Sequence, residues 1–75
     1  MIKPTMKREI GIAFVSKSQR IIHFFATNDA TAELLEFGHV RSCGDAYPPG
    51  QMALEVDPRF DFEEVHEWMA NYGNQ

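Results

Sequence analysis

The densest run of reactive side chains in the chain is His39-Val40-Arg41-Ser42-Cys43-Gly44-Asp45. A thiol becomes a nucleophile when a base or a cation favours its thiolate, and His39, Arg41 and Asp45 are near enough in sequence to serve. If the run is a strand, its two-residue period puts His39, Arg41 and Cys43 on one face. Neither a glycine-rich oxyanion loop nor a second acid–base pair accompanies them, and a free cysteine most often packs as a small hydrophobe. The sequence therefore assigns no catalytic residue and leans away from an enzyme, with Cys43 expected to be structural and slow to alkylate. A thiol-dependent enzyme or redox protein working through Cys43 stands as a second alternative.

Metal and cofactor chemistry finds little purchase. His23, His39, Cys43 and His66 are ligand types, but they lack the close CxxC or HxxxH spacing of structural zinc sites. His66, among Glu63, Glu64 and Glu67, reads as a solvated helix residue. The acidic set Asp57, Asp61, Glu63, Glu64 and Glu67 suits a helix N-terminus and its exposed face better than paired acid catalysis. Glycines 11, 38, 44, 50 and 73 are scattered as turn and cap residues, with no phosphate-binding loop or dinucleotide fingerprint. No metal and no cofactor are expected.

Charge is unevenly distributed. Residues 1–27 hold five cations against Glu9 alone, whereas residues 28–75 hold Arg41 and Arg59 against ten acids, within a net charge of −4. Mutual attraction of the two halves across a small fold explains this most simply; a bipolar surface meeting a charged partner is the sharper reading. Arg8, Lys17 and Arg20 near Phe25 make a nucleic-acid-binding hairpin the first alternative function, since aromatics on strands beside basic residues stack bases. Overall acidity weighs against it, because phosphate contacts dominate such affinity.

These residues must be positioned by very little chain. Seventy-five residues make one small domain spanning 1–75, and 44% hydrophobic content is enough for a core rather than disorder. One cysteine excludes an internal disulfide and suits a reducing compartment. The apolar run Ile21 to Ala26 is broken by His23 and too short to span a bilayer, and Met1 to Glu9 has no signal-peptide apolar region. A cytoplasmic location without membrane association is expected.

The most complete element is Phe60 to Gly73. Asp61 and Glu64 form a capping box, Phe60 and Val65 a hydrophobic staple, and Phe62, Val65, Trp68, Met69 and Tyr72 one apolar stripe; Gly73 is placed to end the helix. Upstream, residues 1–7 read as a flexible arm. Ile10, Ile12 and Phe14 alternate with small residues as a strand, Ser16 to Gln19 turns, and Arg20 to Thr27 returns as the second strand of a hairpin. Residues 30–37 suit a two-turn helix or, alternatively, a strand. His39 to Cys43 is a short strand, and Pro49-Gly50 a type II turn. Gln51 to Asp57 is a strand with Met52, Leu54 and Val56 facing the core and Ala53 and Glu55 facing out.

The whole is α+β: a small antiparallel sheet of three or four strands in β-β-α-β-β-α order, packed by the C-terminal amphipathic helix. Trp68 is expected to be largely buried against Ile10, Ile12 or Phe14 and the strand around Leu54. Two short helices on one side leave the second strand's Ile21/His23/Phe25 face partly exposed. With Arg8 and Arg20 beside it, that strip is the expected partner-binding site. The leading functional expectation is a small non-enzymatic, regulatory or inhibitory protein–protein interaction module, monomeric or homodimeric.

Overall fold

The structure is a computed structural model that describes residues 9–72. The arm at 1–7, Arg8 and the helix-ending Gly73 lie outside the described residues. Six elements run in the order β1 (Ile10–Ser16), β2 (Ile21–Ala26), α1 (Asn28–Leu34), β3 (Gly38–Ser42), β4 (Met52–Val56) and α2 (Phe62–Ala70). The strands form one antiparallel sheet in the spatial order β1-β2-β4-β3, so the fold is α+β as the pattern implies. No described helix is long and apolar enough to cross a membrane.

Alternation along the strands divides the sheet into two unlike faces. Ile10, Ile22, Phe24, Leu54 and Val56 point toward the helices and pack with Ala30 and Leu34 of α1 and with Phe62, Val65 and Met69 of α2. The Asp61 carboxylate caps α2 by accepting from the Glu64 N–H at 3.1 Å, the first half of the capping box. Residues 28–34 are helical rather than extended, and the Thr27 hydroxyl caps them by accepting from the Ala30 N–H at 3.1 Å. Gly38 begins β3 where a Cβ would run into the Glu55 carbonyl, which explains glycine there without any need for an unusual φ. Gly50, at φ +88°, occupies the position of the Pro49-Gly50 turn that requires positive φ, and the Gln51 N–H closes that turn on the Pro48 carbonyl at 3.2 Å.

Three placements differ from the pattern reading. Between Ile12 and Phe14 the β1–β2 register slips by one residue: Ile12 pairs with Phe24, but Phe14 pairs with His23. This bulge at Ala13 reverses the facing of the rest of the strand, so Val15 packs toward the core and Phe14 stands on the opposite face. Trp68 is half-buried at the side of α2, its ring 5.0 Å from those of Phe37 and Tyr72, while Met69 takes the fully buried position. Ala53 faces away from the helices as expected, yet it is fully buried.

Candidate functional site

Both helices lie on one side, so the other face of the sheet carries the remaining side chains. On β2 these are Ile21, His23 and Phe25; on β4, Ala53 and Glu55; on β3, His39 and Arg41; and on β1, Phe14. Ile21 and His23 are partly exposed, and Phe25 and Phe14 are exposed at 38% and 46%. The loop after β3 brings Tyr47 over the same face, 5.6 Å from the His23 ring and 6.5 Å from Phe14. The Ile21/His23/Phe25 strip is thus partly exposed, most so at Phe25, and extended by two aromatic rings, Phe14 and Tyr47, that alternation alone leaves elsewhere.

At the centre of this face three polar side chains meet. His23 Nδ1 lies 3.2 Å from Cys43 Sγ, and the Gln51 amide nitrogen lies 3.4 Å from that ring nitrogen and 3.8 Å from the sulfur. Strand pairing explains the meeting. Cys43 ends β3 and Gln51 precedes β4, joined by a backbone bond from the Cys43 N–H to the Gln51 carbonyl at 3.1 Å. The β2–β4 register then sets His23 opposite Ala53, two residues from Gln51 on the same face. Phe14 stacks on the imidazole at 4.0 Å between centroids and 16° between planes. Burial, and next the neighbouring Arg41 charge, hold the His23 pKa below the usual imidazole range, so the ring is neutral and proton-accepting at pH 7.

The base beside Cys43 is therefore His23, from a distant strand, rather than His39, which is exposed. Sequence reasoning also missed Gln51, a polar side chain only 4% exposed. The available signal was parity, since residues 23, 41, 43, 51 and 53 share a face once β2 and β3 are both paired with β4. Of the four candidate ligands His23, His39, Cys43 and His66, His23 and Cys43 come together. Among the described residues no three His, Cys, Asp or Glu side chains are grouped to hold an ion.

The basic residues have different surroundings from those their position in the hairpin implies. Arg20, at φ +59°, turns its guanidinium away from the strip to donate to the carbonyls of Phe60 at 2.6 Å, Asp57 at 3.1 Å and Val56 at 3.5 Å. It ties the hairpin turn to the β4–α2 connection. Lys17 pairs with Glu63 of α2 at 2.7 Å, and on the open face Arg41 pairs with Glu55 at 2.9 Å. Arg59 lies 3.7 Å from Asp57. Of the five residues in the expected partner site, Ile21, His23 and Phe25 share a surface, Arg20 is directed elsewhere, and Arg8 is outside the described residues. Compared with protein-family models, with curated proteins and with solved structures, the chain matches none.

Proposed function

We propose that the protein is a small non-enzymatic interaction module that regulates or inhibits a larger macromolecule by binding a protein partner through the open face of its sheet. The observation that carries this reading is the exposed aromatic set Phe14, Phe25 and Tyr47 beside Ile21 and His23, on the face neither helix covers. Such a patch, rimmed by the Arg41–Glu55 pair, has the apolar centre and polar margin of a protein interface. A nucleic-acid partner is disfavoured because each of the four cations among the described residues already has an internal partner, and phosphate binding draws on free ones. The same reading has the protein act in the cytoplasm, where a lone cysteine stays reduced.

The test is capture from native lysate on immobilised protein, with nuclease added and at low and high salt. A protein retained at high salt and after nuclease, lost with Phe14→Ala/Phe25→Ala and kept with Leu35→Ala, is the expected result. Leu35 is the control because it is 59% exposed and lies beyond α1, on the helical side. Retention that nuclease or salt abolishes would replace this reading with the nucleic-acid one.

A further inference from the structure

Cys43, His23 and Gln51 reach one point from three segments, and the partner reading makes no use of their chemistry. Their arrangement is that of a nucleophile, its base and an orienting donor. The sulfur and ring nitrogen are in hydrogen-bond contact at 3.2 Å, and the stacked Phe14 ring limits rotation of the imidazole. The Gln51 amide, held in place by burial, directs its N–H toward the sulfur at 3.8 Å, where negative charge develops. Cys43 itself is partly exposed, so a small electrophile can reach it.

We propose that Cys43 is a thiol–disulfide exchange site, with His23 as its base, that takes up a small aliphatic disulfide as a mixed disulfide. In the step, the thiol proton passes from Sγ to Nδ1 as the sulfur attacks one sulfur of R–S–S–R. The Cys43–S–S–R bond forms, the original S–S bond breaks, and the leaving R–S⁻ takes the proton from the imidazolium to depart as R–SH. Cys43 is oxidised, the departing half of the disulfide is reduced, and a second small thiol reverses the reaction. A neutral imidazole suits this role, since it must accept a proton. The groups facing His23 are Cys43 and Arg41 from the β3 side, Gln51 before β4, Glu55 on β4 through its pair with Arg41, and Tyr47 from the loop, with the uncharged Phe14 from β1; burial and then the Arg41 charge are what lower its pKa.

Because the chain has one cysteine, the reaction can be followed without ambiguity. The rate of mixed-disulfide formation with glutathione disulfide is measured by intact mass between pH 5 and 9. It is compared for the native protein, the same protein unfolded in urea, and His23→Asn and His23→Gln, with melting curves for each. Native Cys43 should react about tenfold or more faster at pH 7 than in the unfolded chain. Both variants should lose that advantage below pH 7, where an unassisted thiol slows with each unit of pH. The comparison with urea needs no mutant, so poor folding of a variant leaves the test intact. A native rate equal to or below the unfolded rate, or folded His23 variants as fast as wild type, would overturn the proposal and leave Cys43 structural.

Discussion

His23 holds more of this protein's chemistry than its place in a run of isoleucines and phenylalanines suggests. Its ring is packed under Phe14, touches Cys43 and feels Arg41. Burial and that charge both favour the neutral form, so the folded-state pKa lies below the value near 6.5 of an unfolded chain. Between the two values the unfolded chain binds more protons; His23 therefore costs stability as pH falls through 6.5 and nothing above it. An NMR titration of the ring protons should give a His23 pKa under 6.5, rising toward it in Arg41→Gln. A wild-type value at or above 6.5 would mean the ring is solvated and the stacked site is not formed. At this scale the sequence was least legible. Cys43 was recognisable as the one thiol, but its true neighbour is twenty residues away, across a pairing of β2 with β4 that no local pattern encodes. Arg20 was misleading for a related reason: a basic residue in a turn looks free until the chain returns to offer it carbonyls at 57 and 60.

The elements themselves were far more legible, because each carries its own local signals. Capping chemistry at Asp61 and the stripe Phe62, Val65, Trp68, Met69 and Tyr72 define α2; Phe62, Val65 and Met69 are buried as the spacing demands, while Trp68 and Tyr72 at the edge of the stripe stay partly exposed. The Pro49-Gly50 turn and the alternation of β4 likewise arise from the residues alone. What pattern could not show is the β1 bulge, since Ile10, Gly11, Ile12, Ala13, Phe14 alternates without interruption and only the register against β2 breaks it. One glycine reports how tightly two elements meet. Gly38 leaves no room for a side chain over the Glu55 carbonyl, so Gly38→Ala must push β3 away from β4 and should destabilise by about 1–3 kcal/mol in a urea melt. An unchanged midpoint would show that β3 and β4 do not approach so closely at this point.

At the scale of the whole molecule, the two helices share one face and bind each other's surroundings. Lys17 of the hairpin turn reaches Glu63, and the Tyr72 hydroxyl donates to Glu33 of α1 at 2.7 Å, a bond that pushes the phenol pKa up to about 12. The Lys17–Glu63 pair draws the basic hairpin toward the acidic C-terminal half, in line with the simpler of the two explanations for the charge asymmetry, while the Tyr72–Glu33 bond ties α2 to α1 within that half. They also concentrate cover on the helical side and leave the far side of the sheet to Phe14, Phe25 and Tyr47. Phe24 and Phe25 are adjacent in sequence and opposite in environment, the first fully buried and the second 38% exposed. Their alanine variants therefore give the sharpest trial of a working surface on the open face, with thermal melts and partner retention measured side by side. Phe24→Ala should cost about 3–5 kcal/mol, as loss of a core aromatic does. Phe25→Ala should stay within about 1 kcal/mol of wild type and still lose the partner. A Phe25→Ala protein that melts far below wild type, or one that folds normally and holds its partner as tightly as wild type does, would contradict the assignment of function to this face.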